Sequence, residues 1–320
     1  MSFGFGICLW TQAASWSDIA SAGEFVDELG FDHLWTVDHL LAPAGDPDQS
    51  ILEGWSVLSA WAARTKRARL GLFVAANTFR PPTQTAKLAT TLDHISGGRA
   101  IVGLGAGWHE REHSAYGVAF GSGPGERIRW LDESAGMVRR LLDGESVTST
   151  DGRHRAADLR VLPVPVQQHL PIMIGGSGPK RTLRAVARHA DMWNAFGWPE
   201  DIARSIDILA QHCDDVGRDI ADIELTVGAN VIIRPESAAA ERVWAKQMTA
   251  NKVTPENNVT GPAQLWLGPV DELVERIARY AAVGIRALVV EMAAPYDLET
   301  LQVLAREVRP RVDQIVGASG

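Results

Sequence analysis

Asp38 and His39 stand side by side directly after an apolar run, where they could transfer a proton. An imidazole exchanges its proton near neutral pH, so a histidine can donate or accept one during a reaction. The pair could also bind a metal or form a purely structural hydrogen bond. We predict the catalytic role, because polar residues also follow the neighbouring apolar runs.

A second candidate segment, from Trp108 to His113, carries the spacing of a zinc site. His109, Glu110 and His113 fit the pattern HExxH, in which two histidines one helical turn apart bind zinc. The segment follows a glycine-rich strand end rather than lying inside a long amphipathic helix, and the sequence marks no third ligand. We therefore predict no metal site and keep Trp108 and His109 as candidate catalytic residues.

The segment Gly175-Gly176-Ser177-Gly178 is a candidate phosphate site. It precedes a predicted helix whose first turn contains Lys180 and Arg181. Free backbone N–H groups and the helix dipole attract an anion there. Basic side chains in a first turn oppose the dipole, so we favour a phosphate site over an ordinary strand-to-helix turn.

Alternate glycines mark another run, at Gly103, Gly105 and Gly107. Alternate positions of a strand share one face, so these glycines leave that face without side chains. The free space would suit a flat ligand or a closely approaching backbone. A tightly packed barrel interior is the structural alternative.

Eight apolar runs predict the strands that would position these residues. The runs are mostly continuous rather than alternating, which is typical of strands buried on both faces. They are Phe3–Trp10, His33–Asp38, Arg69–Ala76, Ala100–Ala106, Pro171–Gly175, Ala190–Ala195, Ile223–Ile233 and Ala287–Met292. The helical patterns between them are Ser15–Leu29, Ile51–Arg64, Thr83–Ile95, Glu126–Leu142, Pro179–His189, Glu200–Val216, Val270–Val283 and Leu298–Val312.

Eight strands that each precede a helix predict a (β/α)8 TIM barrel, in the α/β class. A doubly wound sheet is the alternative, but no GxGxxG pattern opens the first helix. We predict one domain over residues 1–320, with loop insertions at 143–170, read as a hairpin or loop, and at 235–268, which contains a helix over Ala238–Thr249. The active site of such a barrel lies at the C-terminal ends of its strands.

Composition narrows the class of protein. Lys and Arg number 31 and Asp and Glu 39, a net charge of −8, which argues against a nucleic-acid-binding surface. The two cysteines predict a reducing cytoplasm rather than a disulfide scaffold. No run approaches the ~18 apolar residues of a membrane span, and the N-terminal run lacks the basic start of a secretion signal.

Among 11 tryptophans, the candidate pocket walls are Trp10, Trp35, Trp108 and Trp198, some of which we expect in the core.

Taken in order, five segments resemble the bacterial luciferase-like family of flavin and deazaflavin oxidoreductases. The resemblance spans nearly the whole chain and is closest to the branch that uses coenzyme F420, a deazaflavin. The segments are Trp35–His39, Thr78–Pro82, Lys87–Arg99, Gly103–Trp108 and Ile174–Pro179.

The resemblance implies a place for the cofactor. Its phosphate would lie on Gly175, Gly176, Ser177 and Gly178, and its ring would lie across the barrel mouth. A cis peptide bond between Phe73 and Val74 would lie behind the ring. A cis bond without proline is energetically costly, so it occurs only where the fold imposes it. The residues that would border the ring or contact the cofactor are Asp38, Phe73, Val74, Ala75, Ala76, Asn77 and Gly107.

The resemblance also implies the chemistry. We predict hydride transfer between F420 and a small organic substrate, with His39 as proton donor or acceptor. Trp108 stands where the sugar-phosphate dehydrogenase of the family carries an acidic catalytic residue, which disfavours sugar-phosphate oxidation. One alternative is an FMN-dependent monooxygenase that uses O2 and reduced flavin from a partner reductase, and another is a non-catalytic deazaflavin or flavin carrier. Relatives are commonly dimers through early helices, so we expect a homodimer through Ile51–Arg64, with Trp55 and Trp61.

Overall fold

Eight parallel strands form a closed barrel, as the alternation of strands and helices predicts. The computed structural model describes residues 2–150 and 152–317. Its strands are β1 (Gly4–Leu9), β2 (His33–Thr36), β3 (Arg69–Leu72), β4 (Ala75–Ala76), β5 (Ala100–Gly105), β6 (Val147–Ser149), β7 (Ala156–Leu159), β8 (Ile172–Gly175), β9 (Met192–Ala195), β10 (Glu224–Ile233), β11 (Leu265–Gly268) and β12 (Ala287–Met292). Around the barrel the order is β1, β2, β3, β5, β8, β9, β10 and β12, and β12 pairs with β1.

Helices surround the barrel. They are α1 (Trp16–Glu28), α2 (Gly54–Arg64), α3 (Pro82–Ser96), α4 (Glu110–Ala115), α5 (Pro124–Leu142), α6 (Thr182–His189), α7 (Pro199–Val216), α8 (Ser237–Ala250), α9 (Val270–Ala282), α10 (Leu298–Val303) and α11 (Arg309–Gly317). The sequence did not predict α4, which is short and polar. The predicted helix Leu298–Val312 contains a π-helical turn, Leu304–Val308, between α10 and α11.

Side chains fill the lower part of the barrel interior. The Trp35 ring is fully buried there, and a Cβ on Gly6 or Gly71 would lie within 2.8 Å or 2.5 Å of it. Cys8 and Met173 belong to the same buried cluster. Trp35 is therefore a core residue and not a pocket wall.

Val74 explains the alternate glycines of β5. A Cβ on Gly105 would lie 2.6 Å from the Val74 side chain, and a Cβ on Gly103 would lie 1.9 Å from the carbonyl oxygen of Leu72. A Cβ on Gly175 would lie 3.3 Å from Val74. The missing side chains thus admit Val74 and a close backbone. The flat-ligand interpretation is wrong at Gly103, whereas Gly105 also lines the cavity described below.

Helix α2 packs inward through its tryptophans. Trp61 is fully buried and its indole N–H donates to the carbonyl of Ile19, while Trp55 is 5% exposed. Both indoles therefore belong to the core of a single chain. The homodimer stays a prediction, but the expected contact through Trp55 and Trp61 is wrong.

The two insertions differ in structure. Residues 143–170 contain the antiparallel hairpin β6–β7, and residues 235–268 contain α8 and β11, which pairs with β10. The predicted helix Ala238–Thr249 is confirmed as α8. Over residues 2–150 and 152–317, every helix is too short or too polar to cross a bilayer.

Candidate active site

A cavity of about 490 Å³ opens at the C-terminal ends of the barrel strands. Its walls come from strand ends and from loops, including part of the second insertion. The lining residues are Trp10, Gln12, Val37, Asp38, His39, Pro43, Ile51, Phe73, Val74, Ala76, Gly105, Ala106, Gly107, Trp108, Glu112, Gly175, Gly176, Asn194, Phe196, Asn230, Val259, Thr260, Gln264 and Glu291. Among these walls there is no lysine or arginine, while there are three carboxyl groups.

His39 forms a hydrogen-bonded pair with Glu112, which the sequence analysis missed. The His39 Nδ1 atom lies 3.0 Å from Glu112 Oε1. An ionised carboxylate only accepts hydrogen bonds, so Nδ1 donates and Nε2 is the ring nitrogen left for a ligand. This is the arrangement of an oriented acid–base histidine.

Helix α4 places Glu112 under the loop that carries His39. Glu112 Oε2 also accepts backbone N–H groups from Leu40 at 2.9 Å and Leu41 at 3.4 Å. Burial acts to raise the pKa of Glu112, but the hydrogen bonds and charge of His39 and these N–H groups outweigh it and lower the pKa. Glu112 is therefore an anion that orients the His39 ring.

The HExxH histidines do not converge. His113 is fully buried, with Nε2 2.7 Å from Thr78 Oγ1 and Nδ1 2.8 Å from the His109 carbonyl oxygen. His109 instead lies near His39 and Glu112, and the ligand atoms of these three residues all lie within 4.8 Å of one another. Within this group His39 and Glu112 are hydrogen-bonded, whereas His109 Nδ1 lies 3.9 Å from Glu112 Oε1, beyond hydrogen-bond distance.

Trp108 and His109 stand at the mouth. The Trp108 ring is 55% exposed and meets the His39 ring edge-on, at 5.5 Å between centroids. His109 contacts both rings without lining the cavity, and burial lowers its pKa. Trp108 is a wall of the entrance, as predicted, whereas Trp198 is exposed outside the cavity walls.

Asp38 is tied to the backbone and to Arg80. Its Oδ2 accepts from Arg80 Nη1 at 2.8 Å and from the Ala76 N–H at 3.0 Å. Burial raises its pKa despite Arg80. Asp38 lines the cavity, but its observed contacts hold the short strand β4 in place, which is a positioning role.

The predicted cofactor residues divide into two groups. Phe73, Val74, Ala76, Gly107, Gly175 and Gly176 line the cavity, as does Asp38. Ala75, Asn77, Ser177 and Gly178 do not; Asn77, for example, is buried and donates to the Gly105 carbonyl. The peptide bond Phe73–Val74 is cis, as predicted.

The glycine segment forms a longer loop than the sequence suggests. Helix α6 begins at Thr182 rather than at Pro179, so Lys180 and Arg181 precede it instead of lying in its first turn. Gly176 adopts a positive φ of 117°, which favours glycine. The loop is exposed at Gly176 and Ser177 beside the cavity, where an anion can reach it.

Glu291 lies on the other side of the cavity, at the end of β12. It is half-buried, and its Oε2 accepts from the Trp10 indole N–H at 3.1 Å. Burial raises its pKa to about 7, because this single hydrogen bond offsets little of the cost of desolvating the charge. The sequence placed Glu291 at a strand end but gave no sign of this burial.

Comparison with known proteins decides the family. The sequence model of the family described as luciferase-like monooxygenase matches residues 3–287. The chain belongs to this family. This luciferase-like chain is 30% identical over 230 residues to an uncharacterised protein of Mycobacterium tuberculosis, a match that covers 67% of this chain and 80% of that protein.

Two further relatives have named activities. An F420-dependent glucose-6-phosphate dehydrogenase of Microbacterium testaceum is 27% identical over 321 residues, covering 92% of this chain and 93% of the relative. The solved structure of an F420-dependent secondary alcohol dehydrogenase, in complex with an F420–acetone adduct, matches with a TM-score of 0.84 at 20% identity. That match covers 98% of this chain and 99% of the other, and it shows the shared fold.

Proposed function

We propose that this protein is a coenzyme F420-dependent oxidoreductase that transfers a hydride between the deazaflavin and a small organic substrate. The observation that carries the proposal is the His39–Glu112 pair at the edge of a largely apolar cavity in a luciferase-like barrel. The F420-dependent relatives supply the choice of cofactor.

The cavity residues fit a flat cofactor ring. Val74, seated against Gly105 and Gly175, forms an apolar surface that continues into Ala76. The exposed loop at Gly176 and Ser177 follows directly, at the place where a phosphate tail would lie. These residues would hold the ring and the phosphate of the deazaflavin, which supplies hydride chemistry when bound.

His39 performs the proton transfer that must accompany the hydride. In the oxidation of an alcohol, Nε2 accepts the hydroxyl proton as the hydride leaves carbon; in the reverse reaction it returns the proton to the carbonyl oxygen. The Glu112 carboxylate stabilises the resulting imidazolium and fixes the ring. Phe73, Phe196 and Trp108 help to exclude water from the reacting atoms.

The charge of the cavity supports an uncharged substrate. Phosphate recognition relies on Arg, Lys or helix N-termini. The walls hold the carboxyl groups of Asp38, Glu112 and Glu291 and no lysine or arginine. By the resemblance, Trp108 stands where the sugar-phosphate dehydrogenase of the family carries an acidic catalytic residue. Sugar phosphates are therefore poor candidates, despite the activity of one relative.

Titration of the purified protein with F420 and with FMN, each oxidised and reduced, tests the proposal. Intrinsic tryptophan fluorescence reports binding, because Trp10 and Trp108 line the cavity. We expect tight binding of F420 and weak binding of FMN. Preference for reduced FMN would indicate a monooxygenase instead, and binding of neither would overturn the cofactor assignment.

A further inference from the structure

The ring order of the strands divides the cavity rim into two halves. Strands β3, β5 and β8 carry Val74, Gly105 and Gly175 at or just beyond their ends; we call this side the cofactor half. The strands diametrically opposite are β10, β12 and β1, because four positions separate each pair around the eight-stranded ring. On this side the cavity is lined by Asn230 within β10, Glu291 near the end of β12 and Trp10 just after β1, and we call it the substrate half.

Glu291 and Asn230 are neighbours on the substrate half. They are register partners on adjacent parallel strands, so both side chains leave the sheet on the same face and at the same height. Both line the cavity. Asn230 is 3% exposed, and its Oδ1 has no hydrogen-bond partner within residues 2–150 and 152–317.

The surroundings of Glu291 favour its neutral form. The titratable group nearest in register is Cys8 on β1, a buried thiol whose own pKa burial raises, so it brings no positive charge. The other flanking groups, Trp10 and Asn230, are uncharged. A protonated carboxyl group donates one hydrogen bond, and the amide oxygen beside it accepts one.

We propose that Glu291 and Asn230 form a subsite that binds a hydroxyl group of an uncharged substrate, on the side of the cavity opposite the cofactor ring. A hydroxyl both donates and accepts, so it satisfies the Glu291 donor and the Asn230 acceptor together. A methyl group in its place leaves a buried acceptor unpaired. An anionic group meets a cavity whose walls carry three carboxyl groups and no lysine or arginine. The assignment of this side to substrate rests on the proposed function.

Three cyclohexanones that differ at carbon 4 test the subsite: the 4-hydroxy, the 4-methyl and the 4-carboxylate compounds. Ligand-detected NMR gives their dissociation constants for the full-length protein, both cofactor-free and saturated with oxidised F420. We expect the hydroxyl compound to bind about 5-fold more tightly than the methyl compound, the value of one net hydrogen bond. The carboxylate should bind most weakly.

Substitutions test whether the preference for the hydroxyl compound comes from Glu291 and Asn230. In Glu291→Leu and Asn230→Leu the hydroxyl and methyl compounds should bind equally, whereas Glu291→Gln, which still offers an N–H donor, should retain the preference. Glu224→Gln is the matched control: it removes another carboxyl with a raised pKa, at the opposite end of β10 and outside the cavity.

Several results would overturn the subsite. They are equal binding of the hydroxyl and methyl compounds to the wild type, tightest binding of the carboxylate, a preference that survives Glu291→Leu, or no binding of any compound at its solubility limit. The F420 titration is independent of these results. Failure of F420 to bind overturns the proposed function. The subsite is still tested in that case, because the hydroxyl and methyl compounds are also compared on the cofactor-free protein.

Discussion

Two carboxyl groups line the same cavity, and their pKa values are shifted in opposite directions. Glu112 accepts hydrogen bonds from His39, Leu40 and Leu41, and its pKa is lowered. Glu291 accepts one, from Trp10, and burial raises its pKa to about 7. The number of donors around each group, rather than its depth alone, decides whether it is an anion.

The difference separates two tasks within one pocket. An anionic Glu112 stabilises a positive charge on His39 during proton transfer, on the side where the chemistry takes place. A protonated Glu291 can donate a hydrogen bond to an uncharged polar group. Each task fails if the carboxyl group that performs it takes the protonation state of the other. The following variants test this dependence.

Loss of the acid–base group should have the largest effect. In His39→Asn the proton has no acceptor, so we expect kcat to fall by about 10²- to 10⁴-fold while F420 binding is unchanged. Steady-state kinetics and an F420 titration measure the two quantities. His94→Asn, on the outer side of α3, is the control and should behave like the wild type. Near-normal turnover by His39→Asn would remove His39 from the mechanism.

Glu291→Gln should be more stable than the wild type, by a margin that grows as the pH increases. A carboxyl whose pKa rises from 4.5 to about 7 on folding destabilises the protein progressively between these pH values, and fully above them. The uncharged glutamine avoids this, so its advantage in free energy of unfolding should grow from near zero below pH 4.5 to on the order of 3 kcal/mol above pH 7. Urea unfolding across this range measures it.

Glu112→Gln should change the free energy of unfolding in the opposite direction in the same urea measurement. Its lowered pKa stabilises the protein above the ordinary pKa of 4.5, and this contribution is lost as the pH falls through the lower folded value. The variant should therefore be less stable than the wild type at neutral pH and equal to it in acid. Parallel pH dependences for the two variants would show that the two carboxyl groups are not in different states.

Glu112→Gln should also change turnover, by a smaller amount than the loss of His39. Glutamine can still accept from His39 Nδ1 but no longer stabilises the imidazolium, so we expect kcat to fall about 10-fold with little change in KM. Steady-state kinetics separates the two parameters. A chelator in the assay controls for a cation bound by His39, His109 and Glu112. An unchanged kcat would mean that Glu112 only holds the loop.

The sequence predicts the barrel well, because each of its strands is a continuous apolar run with a helical pattern after it. It also places Asp38, His39 and Glu291 at strand ends, where a barrel exposes them to the cavity. Local propensity does not show contacts between distant segments. Glu112 meets His39 73 residues away through α4, a helix of six residues whose short polar pattern carries no periodic signal.

The start of α6 shows a second limit. Pro179 is favoured in the first turn of a helix, so the sequence predicts the helix to begin there. The chain instead continues as an exposed loop to Arg181, whose guanidinium donates to the Gly125 carbonyl oxygen on α5. The contact between two separate elements decides where α6 begins. The burial that raises the pKa of Glu291 likewise depends on contacts between separate elements.

The division of the cavity into two halves is tested most directly by blocking each half and measuring F420 affinity. Ala76→Phe places a ring on the cofactor half, and Asn230→Phe places one on the substrate half; both positions line the cavity. We predict that Ala76→Phe abolishes F420 binding and that Asn230→Phe leaves it close to the wild-type value, with both variants folded by thermal denaturation. F420 binding that survives Ala76→Phe but is lost in Asn230→Phe would contradict the account.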